Sequence, residues 1–242
     1  MKRRNFIKKT TLTGIALATV PSFACTQNII SSEELIGKGN PILFGEDYKL
    51  REAAHFAFQE MKTEALKEGI HIQIVSSYRN FEHQKSIWER KYKRYRSQGF
   101  SEEKSIQKII AYSTIPGTSR HHWGTDMDII DANVPAPKYV LREDNFHGNG
   151  AYIHLKKWMD ANANSFGFHL VYTRGLDRKG FKYEPWHYSY KPLSQNYLKS
   201  YKSIHIQEVL QKEKLLGNTH FSETFLSSYR NENILDINPE LL

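Results

Sequence analysis

The sequence predicts an α+β domain, with a small central antiparallel sheet and flanking helices. Three observations carry this reading. Apolar residues recur at helical spacing in some stretches and alternate like strands in others. Helices and short strands follow one another without the regular beat of βαβ units. Two late strand-like runs are separated by a Gly-bearing connection that suits antiparallel pairing. The chain of 242 residues, 39% hydrophobic, is long enough for one domain with a sizeable core plus a modest extension.

Residues 1–24 read as an export signal. Lys2, Arg3, Arg4, Lys8 and Lys9 precede an apolar stretch from Thr10 to Val20, followed by Pro21-Ser-Phe-Ala-Cys25. That stretch is too short to span a bilayer. Arg3-Arg4-Asn5-Phe6-Ile7-Lys8 resembles the twin-arginine export motif. Cys25 is the sole cysteine, which excludes an intrachain disulfide and a CxxC metal site. Two readings of it stand side by side. Ser22-Phe23-Ala24 meets the small-x-small rule for ordinary cleavage, and Cys25 also sits where the lipid-bearing first residue of a bacterial lipoprotein would lie.

Residues 25–45 are polar and Gly/Pro-punctuated and read as a tether, with the folded domain over 46–195 and a helical extension over 196–242. From Lys49 to Lys67, Ala54, Phe58, Met61 and Ala65 recur at helical spacing and Gly69 ends the run. His71 to Val75 alternates like a strand. A second helix starts near Asn80 and includes Gln84, Ile87 and Trp88; residues 89–113 are strongly charged, with Ile106, Ile109 and Ile110 as a buried stripe. The charges of 89–104 read as a solvated helix face. Pro116-Gly117 forms a turn, and Met127 to Ile130 a short central strand. Residues 133–150 form a loop long enough to border a cleft. Tyr152 to Asn164 is a helix with Leu155, Trp158 and Met159 inward. Phe166–Thr173 and Glu184–Tyr190 are paired strands joined by 174–183, and two helices follow near Gln207–Leu216 and Ser222–Tyr229.

The net charge of +8 invites a nucleic-acid reading, but five of those charges lie in the signal, leaving +3 for the rest. No basic run is interleaved with aromatics, so nucleic acid is not an expected partner. A mean hydropathy of −0.61 excludes a membrane bundle and leaves the signal, or a lipid on Cys25, as the expected membrane link.

Two segments carry the chemistry: Ser119 to Ile129, SRHHWGTDMDI, and Tyr183 to His187, YEPWH. With 11 histidines in the chain, a lone one says little. His121, Asp128 and His187 are together three nitrogen or oxygen ligands of the kind a catalytic zinc uses, with a fourth position open. Gly124 permits a tight turn between His121 and Asp128. A carboxylate beside Ile129-Ile130 is costly unless paired or metal-bound. His122 adjoins His121, but neighbouring side chains diverge, so it reads as a wall or supporting residue. Strand parity points Glu184 and His187 oppositely; Pro185 permits an irregular entry that swings Glu184 toward the metal.

Ser119-x-His121-x-x-Gly124-x-x-x-Asp128 with Glu184-x-Trp186-His187 resembles the signature of the VanY-type zinc D-alanyl-D-alanine carboxypeptidases, within the wider group of peptidoglycan DD-peptidases. Ser77-Tyr78-Arg79 followed by Gln84, Pro116-Gly117-Thr118 and Phe166-Gly167-Phe168 extend the likeness over residues 45–192. It implies a DD-peptidase/hedgehog-like fold, Zn²⁺ on His121, Asp128 and His187, and Glu184 as general base. Arg79 is implied to sit where the substrate carbonyl gains negative charge, and Gln84 and Ser119 to bind substrate. The implied substrate is a peptidoglycan stem peptide in the periplasm or cell envelope, losing a C-terminal D-amino acid. An LD-carboxypeptidase, a D-Ala-D-Ala dipeptidase, an endopeptidase or a non-catalytic zinc-containing wall-binding module are the alternatives. A carboxypeptidase needs a cationic anchor for the terminal carboxylate, and the sequence does not single out the Arg or Lys. The chain departs from the family at Asp126 (usually Ala), Ser189 (often Arg) and Val171 (commonly basic); Asp126 is expected to add negative charge near the metal and alter substrate preference.

Overall fold

The computed structural model describes residues 30–175 and 177–242; the export signal and Cys25 lie outside them. Four strands form one antiparallel sheet in the order β1-β2-β4-β3, with β1 Ile72–Ser76, β2 Asp126–Asp131, β3 Phe168–Leu170 and β4 His187–Tyr190. The predicted α+β class and antiparallel sheet are the observed ones. The pairing aligns Ser76 with Asp128 and Asp128 with His187, so three strands contribute to one cross-strand row. Asp126 faces Ser189 two positions along.

Helix α2 (Glu52–Lys67) buries Ala54, Phe58, Met61 and Ala65, as its periodicity predicts. With α5 (Ile153–Asn162) it closes a core on Met127, Ile129, Phe168 and Tyr188. Helix α3 (Phe81–Ser97) starts at the Asn80 cap, whose side chain accepts the His83 N–H, and α4 (Glu102–Ile110) buries Ile106 and Ile109. Side-chain caps of this kind each stabilise a helix by about 1 kcal/mol. Strand β4 starts at His187 rather than Glu184. Pro185 occupies the turn before it, closed by the His187 N–H donating to the Glu184 carbonyl at 3.1 Å.

Two boundaries differ from expectation. Residues 30–45 are not a free tether. Helix α1 (Ser32–Leu35) docks Leu35 and Ile36 into the core, Arg51 pairs with Glu34 at 2.8 Å, and the Trp123 indole donates to the Leu35 carbonyl. Two apolar residues and one ion pair suffice to seat a segment whose composition is otherwise polar. Residues 196–242 likewise belong to a second core rather than to an appendage. Helices α6 (Lys191–Tyr201), α7 (Ile206–Lys212) and α8 (Glu223–Tyr229) bury Leu198, Tyr201, Leu210, Leu226 and Tyr229 against Trp88, Ile106 and Ile115. No described helix is long and apolar enough to cross a membrane.

Candidate metal centre and cleft

The sheet row brings the ligand candidates together. Asp128 lies in β2, His187 opens β4 opposite it, and His121 arrives on the 3-10 turn Arg120–Trp123. Gly124 ends that turn at φ 70°, a left-handed conformation, and a Cβ there would meet Leu43 at 2.8 Å. One ligand atom from each of His121, Asp128 and His187 lies within 4.8 Å of the others, and all three residues are buried. His121 Nε2 is 3.6 Å from one Asp128 oxygen and His187 Nδ1 is 3.9 Å from the other. The Asp128 Oδ1 atom is buried without a hydrogen-bond partner. A buried carboxylate between two imidazoles, with one oxygen unpartnered, is costly unless a cation takes it up. The His₂Asp donor set therefore fits zinc, which takes imidazole and carboxylate ligands and leaves a fourth position free in catalytic sites.

The far nitrogen of each imidazole is engaged. His121 Nδ1 is 2.8 Å from the Ser77 carbonyl, and His187 Nε2 is 3.0 Å from Asp126 Oδ2. Glu184 is brought in by the turn: its Oε2 is 3.0 Å from His187 Nδ1, so the parity conflict does not arise. Burial works against a charge on His187, but the bonds to Asp126 and Glu184 outweigh it and raise its pKa to about 9. Burial raises Asp128 to about 6 and, with the Arg79 cation, holds His121 well below its ordinary value.

These residues open on a cavity of about 590 Å³ whose walls include Arg79, Ser119, Glu184 and Trp186, with Leu141 to Asp144 of the expected cleft-bordering loop. Arg79 follows β1; its Nε is buried without a partner, and burial lowers its pKa. Ser119 caps the 3-10 turn, accepting the His121 N–H at 3.3 Å. Gln84 is fully buried behind the wall and is not one of the lining residues. It donates to the Thr114 carbonyl at 2.9 Å and so shapes the cleft rather than facing it.

The structure adds Lys91, Ser113, Thr114, Arg120 and Tyr172 to the lining. Lys91 corrects the reading of 89–104 as wholly solvated. It lies seven residues after Gln84 on α3, on the face that buries Trp88 and Tyr92, and makes no ion pair among the described residues. Burial and Arg79 push its pKa down to about 8. A cation on an otherwise buried helix face is the signal that could have found it. His122 is turned from the cavity, with Nδ1 2.5 Å from the Arg79 carbonyl and Nε2 accepting the Gly117 N–H at 3.1 Å. Asp126 is also absent from the lining and fully buried, so its charge bears on the site through His187 and Arg120 rather than by touching substrate.

Comparison with known proteins agrees with this geometry. Residues 47–193 match the model of VanY, D-alanyl-D-alanine carboxypeptidase. A D-alanyl-D-alanine carboxypeptidase of Enterococcus faecalis is 25% identical over 190 residues, covering 74% of this chain and 66%, just under two thirds, of that relative. Two solved structures share the fold at 23% identity. VanYB in complex with D-alanine-D-alanine has a TM-score of 0.52, covering 73% of this chain and 92% of that one. A variant of the vancomycin resistance D,D-pentapeptidase VanY in complex with Zn(II) has a TM-score of 0.50, covering 70% and 88%.

Proposed function

Because the chain belongs to the VanY D-alanyl-D-alanine carboxypeptidase family, we propose that it is a zinc peptidase that removes the C-terminal D-alanine from peptidoglycan stem peptides. The observation that carries this reading is the convergence of His121, Asp128 and His187 within 4.8 Å, with Glu184 at their edge and two cations, Arg79 and Lys91, on the same cavity wall.

Zinc held by the three ligands would supply a Lewis acid that brings the pKa of water down to about 7. Glu184 takes the proton of the attacking water and passes it to the departing amine, the general acid–base role its place beside His187 supports. Arg79 faces the carbonyl oxygen as negative charge builds there, and its unpartnered Nε is free for that contact. Lys91 holds the terminal carboxylate, which makes the enzyme cut one residue from the end rather than within a stem. Thr114, whose buried hydroxyl has no partner, and Ser119 bind the substrate backbone, with Gln84 fixing the Thr114 segment from behind. Residues 1–24 deliver the protein to the envelope, where this substrate lies, with Cys25 the residue that would carry any lipid.

The test is digestion of muropeptides ending in D-Ala-D-Ala by the purified zinc-loaded protein. Loss of a single D-alanine is expected, and Glu184→Ala abolishes it. Release of the dipeptide, or cutting inside the stem, reassigns the scissile bond; activity that survives Glu184→Ala overturns the mechanism.

A further inference from the structure

The Asp126 carboxylate makes four hydrogen bonds. Its Oδ2 accepts from Arg120 Nε at 2.8 Å and meets His187 Nε2 at 3.0 Å; its Oδ1 accepts from Ser189 Oγ at 2.6 Å and Thr125 Oγ1 at 2.8 Å. A carboxylate has about four lone-pair sites, so this one is fully used as an acceptor. The Ser189 hydroxyl, having donated to Asp126, accepts from Arg120 Nη2 at 2.7 Å. Asp126 and Ser189 are both fully buried, and Arg120 is 3% exposed. Asp126 and Ser189 are absent from the cavity wall, so Asp126 meets the chemistry only through its two partners there, His187 and Arg120. Because ionised Asp126 only accepts, His187 Nε2 must donate. That fixes the tautomer: in neutral His187 the lone pair is on Nδ1, the nitrogen that faces Asp128 and Glu184. His121 is held differently, by the neutral Ser77 carbonyl.

We propose that Asp126, clamped by Arg120 and Ser189, is a positioning residue that locks His187 in the orientation and tautomer presenting Nδ1 to the metal. The inference rests on the metal reading above. A carboxylate behind a ligating imidazole also makes it a better donor, and loss of such a partner typically costs about 10–100-fold in metal affinity.

The experiment uses full-length protein with Asp126→Ala and the shape-conserving Asp126→Asn. Zinc affinity is measured by chelator competition, and the His187 proton is located by long-range ¹H–¹⁵N correlation on the metal-free protein above pH 9, where the ring is neutral. Zinc affinity should fall about 10–100-fold in both variants, and the His187 proton should lose its strict preference for Nε2 in Asp126→Ala. A merely structural role would lower thermal stability and leave both readouts unmoved. Affinity within twofold of the parent in both variants, or in Asp126→Asn alone if Asp126→Ala does not fold, overturns the proposal. If the parent itself takes up no zinc, the metal reading fails separately; the proton position then decides whether Asp126 controls the ring, and a parent proton not held on Nε2 ends the idea.

Discussion

At the scale of single residues, charge decides more than contact. Lys91 stands on the cleft wall with no carboxylate partner among the described residues, and a charge-assisted contact to a substrate carboxylate is worth about 1.5–3 kcal/mol. Lys91→Met should therefore raise KM for a D-Ala-D-Ala stem about 10–100-fold while kcat changes little. Its ammonium is lost as pH rises through about 8. The parent's KM should climb on the alkaline side of that value, and the variant's should already be high and flat; initial rates across pH 8 measure both. His122 makes the opposite kind of prediction. Burial holds its pKa at about 4, below the unfolded value of about 6.5. Above pH 6.5 both folded and unfolded chains carry it neutral, so it adds no pH dependence there. As pH falls from 6.5 to 4 the unfolded chain binds the proton first, and stability drops by up to about 3 kcal/mol. A proton on Nε2 would also oppose the Gly117 N–H it now accepts. Urea midpoints at successive pH values test this, and His122→Asn should flatten the slope.

At the scale of elements, the C-terminal helices turn out to hold the turn that leads into the first motif. Thr118 donates to the Ile115 carbonyl at 2.7 Å. Its oxygen therefore accepts from the Tyr229 hydroxyl at 2.9 Å, which in turn accepts the Ile115 N–H at 3.1 Å. Tyr201 donates to the Gly117 carbonyl at 2.9 Å. Tyr229→Phe strands a buried N–H and should cost about 1–3 kcal/mol, read as a lowered urea midpoint. The sequence shows where α7 and α8 lie within a few residues, because their apolar spacing and the Ser222 cap are local signals, but it does not assign α6, which carries Tyr201. It does not show that they brace residues 115–118, since that depends on packing between segments over a hundred residues apart. The same limit hides Lys91: a run of charges does not say which side of a helix borders a cavity. His121, Asp128, His187 and Glu184 are legible because ligand chemistry restricts residue type and spacing, whereas Asp126 looks like a simple departure until its four partners are seen together.

At the scale of the whole molecule, the metal site joins β2 and β4, which share one core, to the 3-10 turn whose Trp123 packs in the other. Zinc binding only the folded chain should add about 2.7 kcal/mol at a hundred times its dissociation constant, raising Tm by about 2–4 °C per kcal/mol for a domain of this size. Chelation should reverse the rise, and His187→Ala should show neither shift; calorimetry with and without chelator measures it. The pairing of β2 with β4 has a further meaning. It consists of three residue pairs, formed by strands whose Asp126 and Ser189 lie 63 residues apart, so no tight turn dictates the alignment. A slip of one residue would turn Asp126 and Asp128 away from Arg120, Ser189 and the imidazoles, leaving two carboxylates stranded in the apolar layer. The ionic groups thus act as a proofreading code for strand alignment. Drift that erodes the chemistry would loosen the very pairing that builds the sheet, tying the persistence of the fold to that of its active centre.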